Sequence, residues 1–258
     1  MSMPNTAALL RKARASAEGG TPAVVVTVVR GEGLGEKVLV TADAVEGSLG
    51  DEALDEAAVA VGRAALDGGS SGLQPLTSDV DVFIDVFQVR PLLLLIGAVH
   101  VAQALVKLAE PLGFRIVVAD ARESLATHDR FPTVDDLLVA WPDDAYEKFE
   151  ITSSTAIVIL THDPKFDEPA ILGALKTKAG YIGAVGSRKT NADRRVRLRE
   201  AGATDEEIDR LHGPIGLDIG GRSPEEMAIS ILAEIIAVRN GRSGGSLRSA
   251  AGNIRADG

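Results

Sequence analysis

LLLLIGAVHVAQAL, residues 92–105, is the stretch on which the fold turns. Residues 92–96 are apolar at every position, as expected of a strand buried on both faces inside a parallel sheet. The chain then passes through Gly97 directly into a helical pattern. Such a turn brings backbone N–H groups and the positive end of a helix dipole to the carboxyl edge of the sheet, where a pyrophosphate can bind. Working outward, the pattern predicts a helix over about 99–110, a strand FRIVVAD at 114–120 and a weaker strand near 137–140. STAIVILTHD (154–163) reads as the next strand, followed by a helix over about 167–178 and a strand YIGAVG at 181–186. Strands and helices alternating at this spacing form right-handed βαβ units. The expectation is an α/β fold, a Rossmann-like parallel sheet flanked by helices.

The best-marked helix is Ser223–Arg239, with Ser223 as N-cap, Pro224 first in the helix, Glu226 as capping-box partner and Asn240-Gly241 at its end. Upstream, PAVVVTVVR (22–30) reads as a buried strand and KVLVTA as a second. The Gly-punctuated stretch 31–36 between them reads as a hairpin-like or anion-facing loop. Asp51–Leu66 carries a helical apolar face, and DVDVFIDVFQVR (79–90) alternates as a strand with one wet face. These elements predict a smaller N-terminal α/β domain over 1–87, the Rossmann-like domain over 88–241 and a flexible tail over 242–258.

Composition narrows the function classes. The 258 residues include no cysteine, which removes disulfides, thiolate metal sites and cysteine nucleophiles from this chain. A net charge of −10 and 3% aromatic residues argue against nucleic acid as a general partner. The first twenty residues hold no apolar run long enough for a signal peptide or a membrane span, so a cytoplasmic protein is expected. Charge is uneven: segment 187–200 holds six basic and two acidic side chains.

Four stretches concentrate candidate site residues. In the first, Gly97 holds the opening position of a G-x-G-x-x-G pattern, with Ala98, Val99, His100 and Val101 filling the turn and Ala102 third. A valine at the second position puts a branched side chain where phosphate oxygens normally approach the backbone, so a bound nucleotide and a shell with a changed ligand both remain open. Asp120 lies 23 residues after Gly97, where a carboxylate can accept bonds from ribose hydroxyls. Arg122 either faces a 2′-phosphate or pairs on the surface. In the second stretch, Thr161, His162 and Asp163 reach the same edge, where a His-Asp pair can move a proton, bind a metal or polarise a phosphate; the alternative is a cap and a shaped loop. The third delivers Gly186, Ser187 and Arg188 into a basic helix as an anion cradle or a solvated surface helix. The fourth, LHGPIGLDIGGRSPEE (211–226), sets His212 and Asp218 in a shaped loop. Histidine spacing offers no preformed metal site, and no catalytic residue is assigned.

Taken together, GAVHVAQALVKLAEPLGFRIVVADARESLATHDRFP, VILTHDPKFDEPAI, YIGAVGSRKT and LHGPIGLDIGGRSPEEMAISILAEIIAVRNG resemble the XdhC/CoxI family, the xanthine dehydrogenase accessory proteins. The likeness runs in order over about residues 88–241. It implies a C-terminal Rossmann domain that holds the molybdenum cofactor (molybdopterin) as cargo and delivers it to a molybdenum hydroxylase apoenzyme, often after sulfuration by a cysteine desulfurase or sulfurase. Gly97, His100, Asp120, Arg122, His162, Asp163, Gly186, Ser187, Arg188, His212 and Asp218 match its blocks. TVVRGEGLGEKVLVTADAVEGSLGDEALDEA (27–57) is similar to the family's N-terminal outline, but the customary Gly-Gly-Cys-Leu-Glu turn reads GSLGDEALDE. The missing thiol implies pairing with a second, complementary family member; a homo-oligomer is the other assembly expected. Against this non-catalytic cofactor chaperone stands an NAD(P)-binding oxidoreductase using the same edge, and beyond it a silent regulatory protein that uses the fold only for assembly.

Overall fold

The computed structural model describes residues 6–18, 20–66, 69–161 and 164–249, and the chain divides between Arg90 and Pro91 into two compact units. The first contains helix α1 (Thr6–Glu18), strands β1 (Ala23–Arg30), β2 (Lys37–Thr41) and β3 (Val45–Ser48), helix α2 (Glu52–Leu66), and strands β4 (Gly72–Pro75) and β5 (Asp81–Phe87). Its sheet is antiparallel in the order β3-β2-β1-β5-β4. The unbroken apolar run of β1 follows from its central place: Val24, Val26 and Val28 pack with Ala58 and Ala65 of α2, and Ala23 and Val25 with Leu9 and Ala13 of α1. Stretch 31–36 is a hairpin connection, closed by the Gly35 N–H donating to Val28 O and the Val28 N–H to Glu36 O.

The second unit begins with β6 (Leu92–Ile96), α3 (His100–Ala109), β7 (Arg115–Ala119), β8 (Asp136–Leu138), α4 (Pro142–Lys148) and β9 (Ala156–Ile159). It continues with α5 (Pro164–Leu175), β10 (Tyr181–Ala184), α6 (Arg188–Glu200), α7 (Asp205–Asp209), β11 (Leu211–His212) and α8 (Pro224–Arg239). All six strands are parallel in the order β11-β10-β9-β6-β7-β8. Leu93 and Leu95 of β6 pack towards α3 and α8, whereas Leu92, Leu94 and Ile96 face α4 to α7. Two helical layers thus explain why residues 92–96 show no polar alternation.

The expected capping box at Ser223 and Glu226 is formed, with Pro224 opening α8. The helix expected over 167–178 instead runs Pro164–Leu175. Proline's fixed φ suits a first turn, and the far end closes early in tight bonds from Lys176 and Thr177 to Gly173 O and Ala174 O. Helix α4, whose seven residues are too short for a periodic signal, lies where no helix was expected. Residues 242–249 of the proposed tail are exposed, and a side chain at Gly244 would meet Leu217. No helix among the described residues is long and apolar enough to cross a membrane.

A buried ion pair joins α5 and α6 on one face of the sheet. Arg194 of α6 lies 3.1 Å from Asp167 of α5, with side-chain exposures of 2% and 4%. The guanidinium also donates to Val185 O and Asn191 Oδ1, and the Thr161 hydroxyl donates to Asp167 Oδ1. Removing one member of such a pair leaves a charge in a poorly solvated place. Arg194→Met is expected to cost about 3–5 kcal/mol of unfolding free energy, read from urea denaturation followed by circular dichroism.

Candidate functional site

The turn after β6 is held from three directions. Gly97 adopts φ +109° and its N–H donates to Ala119 O at 2.8 Å. A Cβ there would lie 3.0 Å from Thr161 Cγ2 and 3.4 Å from the Leu160 carbonyl carbon, a crowded position on a backbone that favours glycine. The next N–H, of Ala98, donates to Asp120 Oδ2 at 2.8 Å, while Ala98 O accepts from Arg130 Nη1 at 2.8 Å. Val99 is the N-cap of α3 in an extended conformation and supplies no side-chain cap. The first-turn N–H groups of His100, Val101 and Ala102 have no carbonyl to bond within the helix; Ala102 is fully buried, which leaves those of His100 and Val101 as the candidates for an anion.

Beside this turn lies a crevice of about 480 Å³, within the usual range of small-molecule sites. Sheet order reverses between β6 and β9, and the crevice opens at that switch point, where ligands of open α/β sheets bind. Its walls are mainly apolar, with Ile96, Val99, Ala119, Ala140, Pro142, Leu160 and Phe166; Asp120, Arg122 and Thr161 supply the polar side chains. The single tryptophan, Trp141, stacks on Phe166 at 5.0 Å between ring centroids and is 54% exposed.

Asp120 is buried, and Arg122 pairs with it through Nε at 2.8 Å and Nη2 at 2.7 Å. The Arg122 N–H adds a bond of 2.9 Å. Burial would raise this carboxyl, but the hydrogen bonds from Arg122 and Ala98 outweigh it and hold it below the ordinary aspartate range. Of the two roles open to Arg122 from sequence, the structure shows the pairing.

Arg188 and Asp218 belong to another place. They line a separate cavity of about 390 Å³ walled by residues 214–221, with Arg188 Nη2 3.9 Å from Asp218 Oδ2. The single cradle expected along the edge is therefore divided in two. Strand β10 is separated from β6 by β9, which sets their ends roughly 10 Å apart. Gly186 sits at φ +137° before α6, and Ser187 caps that helix by accepting from the Thr190 N–H. Nor is α6 a free basic face: Lys189, Arg195, Arg197 and Arg199 pair with Asp193, Asp209, Glu168 and Asp205. His212 stacks on Tyr181 at 4.6 Å and lies 3.4 Å from Glu234, which also accepts from the Tyr181 hydroxyl and the Gly216 N–H. Burial works against the Glu234 charge, yet His212, Tyr181 and Gly216 together keep its carboxyl below the usual range. Burial beside Glu234 drives the Tyr181 phenol far up.

His162 and Asp163 lie outside the described residues. His100 is exposed at the first position of α3, and Val101 is partly buried against the core. Several residues at the site carry no local sequence signal: Arg130 braces Ala98 from 32 positions away, and Asp167 meets Arg194 across 27. Trp141 was detectable only as the lone tryptophan beside a proline. Among the described residues no group of three His, Cys, Asp or Glu side chains is placed to hold a metal ion.

Asp120→Asn converts an acceptor oxygen into a donor facing other donors, and is expected to cost on the order of 2 kcal/mol. Because the folded carboxyl is depressed, its contribution is complete above the unfolded aspartate value of about 3.9 and is lost as pH falls through the folded value. Urea midpoints between about pH 6 and pH 3 should therefore fall less steeply in the variant than in the parent protein.

The sequence profile of the XdhC Rossmann domain matches residues 93–235, and that of the XdhC and CoxI family matches residues 16–76. Among curated relatives, the uncharacterized protein YqeB of Escherichia coli is 36% identical over 185 residues, covering 71% of this chain and 34% of its own length. A probable xanthine dehydrogenase subunit of Bacillus subtilis is 33% identical over 159 residues, 62% of this chain and 46% of that protein. The molybdenum cofactor insertion chaperone PaoD of Escherichia coli is 34% identical over 90 residues, 35% of this chain and 28% of that one. The chain thus spans less than half the length of these relatives. A crystal structure of a xanthine dehydrogenase from Bacillus halodurans shares the fold, with a TM-score of 0.68, 24% identity, and coverage of 90% of this chain and 66% of that one. With the Rossmann profile spanning more than half of its residues, on a sheet of matching topology, this chain belongs to the XdhC family.

Proposed function

We propose that this protein is a cytoplasmic accessory protein for a molybdenum hydroxylase, holding the molybdenum cofactor in the switch-point crevice and passing it to the apoenzyme without turnover. The observation that carries this reading is the pairing of uncapped first-turn amides on α3 with an adjacent, mainly apolar crevice of about 480 Å³. A phosphorylated pterin asks for both: N–H groups and a helix dipole for its phosphate, and apolar walls for its fused rings. The Thr161 hydroxyl, fixed by Asp167, adds a polar contact at the same mouth. The kinship with a molybdenum cofactor insertion chaperone over 90 residues supports the same cargo.

The client apoenzyme is the expected transient partner. With no cysteine in the chain, any sulfur added to the cargo is supplied by a sulfurase, or through a second family member that has the thiol. Dinucleotide oxidoreduction is the rival for the same crevice. Val99 at the second turn position weighs against it.

The decisive experiment is to produce the cognate hydroxylase with and without this protein and measure its molybdenum and pterin content. Loading is expected to depend on the protein, and a hydroxylase fully loaded in its absence would refute the reading. Ala140→Phe, which pushes a ring into the crevice, should lower the cofactor retained by the purified protein about tenfold. Its thermal midpoint should stay close to that of the parent, since Ala140 is only half-buried.

A further inference from the structure

An ionised carboxylate offers about four lone-pair positions to donors. At Asp120 four donors fill them: the Ala98 N–H at 2.8 Å, the Arg122 N–H at 2.9 Å, and Arg122 Nε and Nη2 at 2.8 and 2.7 Å. The aspartate side chain is 4% exposed, whereas that of Arg122 is 49% exposed and lies over it. In sheets of this topology, an acidic residue at the end of the second strand is the group that receives the hydroxyls of a ribose. Here the end of β7 presents that residue with its acceptor capacity already spent.

Among the neighbouring side chains a diol finds no replacement acceptor. Beside Asp120 the crevice is walled by Ala119, Ala121, Ala140 and Pro142, none with a polar side chain. A ribose placed there would bury hydroxyls without partners, which costs free energy, or would have to displace a bidentate guanidinium, among the stronger hydrogen-bonded pairs. The bond to Ala98 is independent of Arg122, so the turn at Gly97 keeps its carboxylate brace even when the guanidinium is removed.

We propose that Arg122 is a specificity-determining residue: by sealing Asp120 it turns the crevice away from ribose-bearing nucleotides and leaves it to a phosphorylated ring system with no vicinal diol at that position. This rests on the reading that the crevice holds a phosphorylated heterocycle. Its test, however, uses no molybdenum cofactor.

Titration calorimetry of the full chain with AMP and with 2′,3′-dideoxy-AMP separates the cases. The parent protein is expected to bind the two ligands within about threefold of each other, because no acceptor is free to sense the diol. Arg122→Ala returns two acceptor positions to Asp120, and should bind AMP about tenfold or more tighter than the dideoxy analogue. The gain should vanish in the Asp120→Asn/Arg122→Ala double variant. If Arg122→Ala does not fold by circular dichroism, Arg122→Met, which keeps the aliphatic stem, carries the test. A parent protein that prefers AMP by more than about threefold overturns the proposal, as does a folded Arg122 variant showing no preference for the diol, whether through equal binding or none. Failure of hydroxylase loading would remove the proposed function and leave this result standing, so the two outcomes are separable.

Discussion

The chain leaves β6 through a crowded, positive-φ position that favours glycine, and what fixes its course afterwards is the carboxylate of Asp120. Gly97 stands at φ +109° against Leu160 and Thr161, and the next amide is gripped by Asp120 while the next carbonyl is gripped by Arg130. A turn held by both its N–H and its C=O cannot swing, so α3 starts at a fixed point and angle. The consequence is chemical as well as structural. The Ala98 amide is spent on the protein, and on the proposed reading an anion is left to the N–H groups of His100 and Val101, where Val99 provides no cap.

A second fixed point faces the first across the switch between β6 and β9. The strand ends present the Thr161 hydroxyl at the crevice and the buried Val185 carbonyl, and buried polar groups of the latter kind need partners. Asp167 and Arg194 supply them, at the cost of burying two charges that are worth keeping only together. Most other cations of α6 are also spent, on carboxylates of the same helix, α5 and α7. In a chain of net charge −10, little long-range field is left to draw in an anion. On the proposed reading, recognition of a phosphate therefore falls to short-range, directional N–H groups rather than to a basic patch.

Much of the fold was legible because it rests on local rules. Five consecutive apolar residues at 92–96 demand cover on both faces, and Ser223, Pro224 and Glu226 specify a helix start through bonds within one turn. Where the local signal is faint, the reading failed in understandable ways. Helix α1 buries chiefly small side chains, Ala13 and Ala17, with Leu9, and α4 spans only seven residues. The site was half legible. Gly97, Val99, Asp120 and Arg122 do line one crevice, yet Arg188 and Asp218 line another, because a shared sheet edge says nothing of the strand that stands between. Nor can sequence decide whether Arg122 turns to a ligand or back to Asp120, since the two residues are close enough for either. The pairing of Asp167 with Arg194 is set by tertiary packing alone.

A carrier faces a constraint that an enzyme does not: it must hold its cargo and then lose it to a client of greater affinity. Tight phosphate sites commonly use bidentate arginines, and here the arginine at the crevice is committed to Asp120, the one in the interior to Asp167. What remains for a ligand is a set of main-chain N–H groups, a threonine hydroxyl and apolar walls. Such contacts recognise shape and a phosphate without the strong ion pairing that would slow release, since affinity differences among related sites reside mostly in the rate of departure. On the proposed reading, the same Asp120 that fixes the turn also withholds a cation from the cargo. Rigidity of the loop and looseness of the grip then share one cause.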